Sequence, residues 1–560
     1  MTFNKVVFDI ETTMTADKIW CIVCKHGDTY YQFKEDRLHR FAELIKQTDE
    51  VIGHNIIGFD IPVVNTIFGY DVFANCKVTD TLVLSRLLNP MIDGGHSLRN
   101  WGTKLGQNKI HFEQFDYFSE DMLTYCRNDV ELTERLYKFL INKTKDFGMS
   151  IELEHKVAQI IQKQHERGFK INVVEAYELQ SKFQEDMNDL TTKVRQTFPP
   201  MKIEEEFIPK SNNKSRGYVK GVPFIKVKYK EFNLGSRQQI AERLVMLGWK
   251  PKKKTDKGHI IVDEKVLSQI HNIPEAKLIN RYLMLQKRIA QVNSWIEAIK
   301  EDGRVHGKVI TNGTITGRMS HQSPNMAQIP AVYSPYGKEC RALWTVNKGY
   351  KLVGVDASGL ELRMLAHYMN DKDYTHEVVN GDIHTANKIA AGLESRDKAK
   401  TFIYAFIYGA GSKKIGSIIG GSERDGERAK EKFLRATPSL RSLREKVERV
   451  AQRRWVRGLD QRKIIIRHPH AALNTLLQGA GAIVMKCALT LLENYVINKR
   501  IKAFPVVNVH DEFQYEVEEN KAEEFGRLAV QSIIDAGKQL NVRCPLNGEY
   551  KIGNNWSETH

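Results

Sequence analysis

The sequence predicts an α/β domain to about residue 147, followed by a larger α+β part. Three observations carry this. Short apolar runs, KVVFDIE, WCIVC and DEVIGHN, alternate with helical stretches up to residue 147, the pattern of strands interleaved with helices. From 148 to about 300 the apolar spacing is mostly helical, with a basic irregular segment in the middle. Beyond 301 strands return in GRVHGKVIT and YKLVGVDASG, a helical block fills roughly 376–500, and VVNVHDEFQYEV reads as a half-buried hairpin before a final helix and strand.

Composition narrows the class. With 560 residues, 41% hydrophobic and 27% charged, the chain has ordinary globular composition and room for several cores. No apolar run of membrane-spanning length is expected, and the start MTFNKVVFDIETT lacks the regions of a signal peptide, which predicts a cytoplasmic protein. Seven scattered cysteines argue against a disulfide framework, and Cys21 and Cys24 read as buried strand residues, not a zinc site. A net charge of +16 makes a polyanion the natural partner. The basic residues concentrate at 209–230 and 250–258, which favours phosphate contact over a merely solvated face.

In the first strand Asp9 and Glu11 stand two apart, so the pleat sends both carboxylates to one face, where they repel unless a cation joins them. Asn55 and Asp60 follow in VIGHNIIGFDIPVV, and Tyr125 and Asp129 stand at i, i+4 on one helical face. Four carboxylates and a phenol are hard oxygen donors suited to Mg²⁺ or Mn²⁺, and two such ions about 4 Å apart activate a water and stabilise the leaving oxygen of a phosphodiester. Taken singly, Asp9 also reads as a strand end, Asp60 as a turn cap and Tyr125 as a core aromatic. Asp80, opening a helical run, reads as an N-cap.

A second group lies downstream. An apolar strand ends at Asp356, turns through Ala357-Ser358-Gly359 and continues as a helix. A carboxylate there projects past the sheet edge or caps the helix. In RDKAKTFIYAFIYGAG, Arg396, Lys400, Tyr404 and Tyr408 repeat at i, i+4, with Ala399, Phe402, Ile403 and Phe406 packing behind. Such a face grips a triphosphate and lays a ring on sugar or base, or is an ordinary amphipathic helix. His384 adds a donor nearby. His510-Asp511-Glu512 places two adjacent carboxylates at a hairpin tip without the Gly or Asn that eases such turns. In isolation it reads as a solvated turn.

The ordered trio DxE, NxxxxD and YxxxD resembles the DEDDy class of 3′–5′ exonucleases. Asp356 within DASGLELR, the RxxxKxxxYxxxYG helix at 396–409 and His510-Asp511-Glu512 resemble motifs A, B and C of family A DNA polymerases. TNGTITGRMSHQSPNMAQIP (311–330), RHPHAALNTLLQGAGAIVMK (467–486) and IGNNWSETH are similar to the replicative members from short-tailed bacteriophages. The resemblance spans the chain. It implies an α/β, ribonuclease H-like exonuclease domain followed by an α+β right-hand polymerase of palm, fingers and thumb. The expected division is exonuclease 1–147, thumb 148–300 with a basic insertion near 199–232, palm 301–375, fingers 376–480 and palm again 481–560.

The resemblance also implies roles. Asp9, Glu11, Asp60 and Asp129 hold metals and Tyr125 orients the attacking water. Asp356, Asp511 and the Ala357 carbonyl bind two Mg²⁺, with Mn²⁺ as the alternative and Glu512 as a supporting carboxylate. His384, Arg396 and Lys400 hold the incoming triphosphate. Tyr404 stacks on its sugar and, with Glu361, crowds the 2′ position; a Tyr where relatives carry Phe implies acceptance of dideoxynucleotides. Arg318, Asn325, Gln328 and Gln478 read minor-groove acceptors common to all correct pairs, and His510 contacts the primer end. The implied partners are primer–template DNA, dNTPs, and a phage helicase–primase and single-strand-binding protein. The implied location is the cytoplasm of the infected bacterial host, with no membrane association.

The pattern departs from the family in two places. The extra 5′-nuclease domain of many bacterial members is expected to be absent. The best-known phage relatives carry a long thumb insertion that recruits host thioredoxin, whereas the matching segment here is short and strongly basic. That argues against a thioredoxin requirement, and for a direct grip on duplex DNA or another clamp. Two rival readings are a nuclease whose C-terminal part only binds DNA and a non-catalytic scaffold. The first leaves Asp356, Lys400 and Asp511 unused; the second wastes both acidic groups.

Overall fold

The computed structural model describes residues 3–255 and 257–560; Met1 and Thr2 of the start, and Asp256 of the 250–258 basic cluster, lie outside the described residues. Strands β1 (Phe3–Thr12), β2 (Ile19–His26), β3 (Thr29–Lys34), β4 (Thr48–Gly53) and β5 (Lys77–Asp80) form one sheet in the order β3-β2-β1-β4-β5. β1 is central, antiparallel to β2 and parallel to β4, because apolar side chains leave on both of its faces. Phe8 and Ile10 enter a core with Phe41, Val64 and Phe73. Val7 leaves on the opposite face and packs with Met122, Cys126 and Val130 of the helix Glu120–Thr144. Strand alternation puts Asp9 and Glu11 on that second face, against the helix that carries Tyr125 and Asp129. Cys21 and Cys24 are buried in β2, as expected of strand cysteines. The edge strands β3 and β5 were not anticipated: KVTD is four residues long with a single apolar side chain, too short for periodicity to register.

The second sheet is antiparallel, in the order Ala503–Val509, Glu512–Glu518, Tyr350–Ala357, Gly548–Gly553. Its hairpin is not half-buried. Val506 to Val509 and Glu512 to Val517 are all buried, since Phe525, Ala529 and Ile533 of the helix Ala522–Gln539 join the hairpin's core and the helix Ser150–Arg167 covers its polar side. There Asn508 donates to Gln164 Oε1 at 2.6 Å and Arg167 pairs with Glu516 at 2.7 Å. The strands follow the alternation of the sequence, but the polar face is hydrogen-bonded inside the protein instead of hydrated.

The helical block after 376 is interrupted by a small hairpin, Trp455–Arg457 with Lys463–Ile465. It ends in the helix Ala472–Lys499. This corrects the expectation of no spanning-length apolar run: Pro469–Lys499 is long and apolar enough, with mean hydropathy 1.5, yet 83% of its window is buried inside the structure. It is a core helix.

The chain forms two compact units. Met1–Lys170, His306–Pro335 and Trp344–His560 make one, which holds both sheets; Ile171–Val305 and Tyr336–Leu343 make the other. The second unit contains the long helices Val173–Thr197 and Pro274–Glu297. Its basic segment is not irregular but an antiparallel ribbon, Met201–Phe207 with Phe224–Lys230. Alternation places Lys226, Lys228 and Lys230 on one face and Ile225, Val227 and Tyr229 on the other, all of them exposed.

Candidate active sites

The structure brings the four carboxylates of the first group together. Glu11, Asp60 and Asp129 are buried and Asp9 is half-buried. Asp60 opens the helix Asp60–Phe68, and Asp80 caps the next helix, its Oδ1 accepting from Leu82 N. Asp80 also accepts from Asn55 N at 2.8 Å and Ile57 N at 3.1 Å, which fixes the turn leading to Asp60. Burial, then the Asp60, Asp129 and Glu11 charges, push the Asp9 carboxyl well above the carboxylate range. Burial and then Asp129 push Glu11 up to about 9, and burial raises Asp60 to about 7. Carboxylates raised by mutual repulsion in a dry site favour a bound cation.

Two members of this site were not found from the sequence. Cys126 brings its Sγ to 3.7 Å from Asp9 Oδ2, and ligand atoms of Asp9, Glu11 and Cys126 lie within 4.8 Å of one another. Lys109 sits 2.5 Å from Asp129 Oδ2 and 4.7 Å from the Tyr125 ring centroid. Burial pulls the Lys109 ammonium down, and the Asp129 carboxylate outweighs it, holding the lysine protonated. Among the described residues Asp129 Oδ1 is buried without a hydrogen-bond partner. An orphaned carboxylate oxygen among repelling carboxylates fits a hard divalent cation.

The second group converges at the edge of the other sheet. Asp356 stands opposite Glu512 in register, and Ala357 N donates to Asp511 O at 3.1 Å. His510 and Asp511 alone make the turn, and His510 takes φ 56. Gly359, at φ 57, precedes the helix Leu360–Met369, so Asp356 is not that helix's cap. Asp356 is exposed at the sheet edge; the protein packed beside it, then the Asp511 and Glu512 charges, still push its carboxyl up, to about 7, and burial also raises Asp511. Glu512 is differently placed. Its Oε1 accepts from Gln514 Nε2 and Trp556 Nε1, both at 2.6 Å, and its Oε2 lies 3.0 Å from His560 Nδ1. With both oxygens engaged, it is a braced neighbour of Asp356 and Asp511.

The helix Arg396–Ile407 presents Arg396 and Lys400 to solvent while Ala399, Phe402, Ile403 and Phe406 are buried. Arg396 Nε lies 2.8 Å from Asp382 Oδ2, and Asp382 caps the helix bearing His384, whose Nδ1 has no hydrogen-bond partner among the described residues. The Tyr404 ring lies 6.3 Å from that of His384 and 6.4 Å from that of Tyr408. Glu361 engages Tyr408: the phenol donates to Oε2 at 2.6 Å, and Arg318 pairs with Oε1 at 3.1 Å. The i, i+4 spacing singled out Tyr408, but its partner is 47 residues away and nothing local points to it. Asn325 and Gln328 are exposed and Gln478 is half-buried.

DNA polymerase family A matches residues 220–558. The DNA-directed DNA polymerase of Enterobacteria phage T3 is 32% identical over 99% of this chain and 100% of its own length. That of Escherichia phage T7 is 34% identical over 87% of this chain and 88% of its own. The solved POL domain of Pol1 from M. smegmatis, in complex with DNA primer-template and dNTP, shares the fold with TM-score 0.82 at 17% identity, over 99% of this chain and 95% of that one. The chain belongs to DNA polymerase family A.

Proposed function

We propose that this chain is a phage-type replicative DNA polymerase that extends a primer 3′-hydroxyl with dNTPs and removes mispaired ends through a separate 3′–5′ exonuclease site. The observation that carries the synthetic half is the meeting of Asp356 with the His510–Asp511 turn on one sheet edge. Asp356, Asp511 and the Ala357 carbonyl hold two Mg²⁺ or Mn²⁺ ions, and Asp9, Glu11, Asp60 and Asp129 hold another pair. Bound there, the cations lower the pKa of the attacking hydroxyl or water and neutralise charge on phosphate.

The remaining steps belong to side chains. Lys400, Arg396 and His384 hold the triphosphate, which requires Arg396 to give up or share Asp382. Tyr404 lies under the sugar, and Glu361, braced by Tyr408 and Arg318, crowds its 2′ position. Asn325, Gln328, Gln478 and Arg318 test minor-groove acceptors shared by correct pairs, and His510 reaches the primer end. In the nuclease site Tyr125 orients the attacking water. We assign 1–147 to the nuclease, 148–300 to the thumb, 301–375 and 481–560 to the palm and 376–480 to the fingers. The lysine face of the ribbon supports a direct hold on DNA without thioredoxin. The partners are primer–template and dNTPs, with a helicase–primase and single-strand-binding protein, in the infected host's cytoplasm.

A reciprocal pair of variants tests this. Asp356→Ala abolishes extension of a primed template and keeps 3′-end degradation; Asp9→Ala with Glu11→Ala does the reverse. Extension that survives Asp356→Ala refutes the synthetic assignment.

A further inference from the structure

The loop that follows the helix Leu98–Leu105 crosses the helix Glu120–Thr144 and delivers a cation into the acidic cluster. Ile110 N donates to Asn128 Oδ1 at 3.2 Å, and Phe112 stacks on Tyr125 at 5.3 Å between ring centroids. These contacts anchor the loop on the helix face that carries Tyr125 and Asp129. The Lys109 side chain, 19% exposed, is thereby held 2.5 Å from Asp129 Oδ2, with the Tyr125 ring 4.7 Å from its ammonium. The other Asp129 oxygen is buried and has no hydrogen-bond partner among the described residues.

We propose that Lys109 is a built-in counter-cation that competes with the divalent metal for Asp129, and so sets the metal concentration at which the nuclease site becomes active. The inference rests on the proposed nuclease reading. Its physical basis is simple. A divalent ion on Asp129 and an ammonium in contact with the same carboxylate repel, and the repulsion is large where little water screens it. Asp129 would hold the ion through its unpartnered Oδ1, while Lys109 occupies Oδ2. The face of the Tyr125 ring, already 4.7 Å from the ammonium, favours the cation whether or not it keeps its contact with Asp129. Lysine suits this task because its ammonium is a compact charge on a flexible stem, whereas a bidentate arginine would bind the carboxylate too rigidly to leave.

The test is Mn²⁺ titration by calorimetry at about pH 8 on the full chain carrying Asp356→Ala and Asp511→Ala, which removes the two aspartates of the second site. Lys109→Met and Lys109→Gln are each expected to tighten Mn²⁺ binding by about tenfold. In each, the metal concentration for half-maximal 3′-end removal moves down in parallel. Lys109→Arg keeps binding as weak as the parent or weaker. Unchanged or weaker Mn²⁺ binding in both uncharged variants overturns the proposal, including the case in which nuclease rate alone falls. Thermal unfolding of each variant identifies a misfolded protein, and two uncharged substitutions keep the test open if one fails to fold. Failure of the nuclease reading itself looks different: Mn²⁺ binding by the parent would then be insensitive to Asp9→Ala and Glu11→Ala.

Discussion

His510 occupies a left-handed backbone position, φ 56, in a two-residue turn that most often uses glycine there. An L-residue held in that region costs about 1–2 kcal/mol, so the imidazole is kept against a conformational penalty. His510→Gly is expected to stabilise the chain by up to about 1 kcal/mol in denaturant unfolding while slowing primer extension. Asp356 makes a second prediction. Its carboxyl is pushed up to about 7, whereas an unfolded Asp titrates near about 3.9, so ionising it in the folded protein opposes stability. Asp356→Asn therefore stabilises the metal-free protein fully above about pH 7, and the gain shrinks as pH falls toward about 4. Melting in chelator at about pH 8 and about pH 5.5 measures the difference; an equal gain at both contradicts the assignment. These residues were legible because each motif is local. Lys109 was not, since a lone lysine in an irregular loop carries no periodic or spacing signal.

Among the elements, the packing beneath the second site turns on charges that sequence patterns hide. Lys486, in the apolar core helix, donates to Glu154 Oε1 at 2.7 Å and to Asn312 Oδ1 at 2.8 Å. Arg462 pairs with Glu154 at 2.5 Å and Asp460 at 2.6 Å. All five side chains are buried. The network ties the helices Ser150–Arg167 and Ala472–Lys499 to the small hairpin and to the turn that leads into Arg318. Burial pulls Lys486 down to about 8, so removing its carboxylate leaves a cation that the interior does not tolerate. Glu154→Gln should cost about 3–5 kcal/mol in denaturant unfolding, and Glu154→Leu with Lys486→Met should recover much of it. The helix faces were readable from i, i+4 spacing and the first strand from its pleat. Pairings such as Glu154 with Lys486, 332 residues apart, are set by tertiary structure and leave no local trace. The ribbon at 201–230 does carry a strand signal, Ile225, Val227 and Tyr229 alternating with Lys226, Lys228 and Lys230, but the density of lysines outweighs it because both faces are exposed.

For the whole molecule, the net charge of +16 acts through counterion release, so DNA affinity should fall steeply with salt. Reversing Lys226, Lys228 and Lys230 to Glu is expected to shorten products on a long template and to lower the salt slope of duplex binding by about 2–3. Single-nucleotide insertion at saturating DNA should be little changed. Long products without added thioredoxin are expected from the same surface. On the proposed reading the two acidic clusters give synthesis and excision separate sites on one chain, and a primer with a mispaired 3′ end exposes both. The most direct measurement follows such a primer, labelled at its 5′ end, through single turnovers with dNTPs and Mg²⁺. The wild-type chain should shorten the primer before extending it, Asp356→Ala should only shorten it, and Asp9→Ala with Glu11→Ala should stall or extend without shortening. Continued extension by Asp356→Ala, or continued shortening by the Asp9 and Glu11 double variant, would contradict this division of labour.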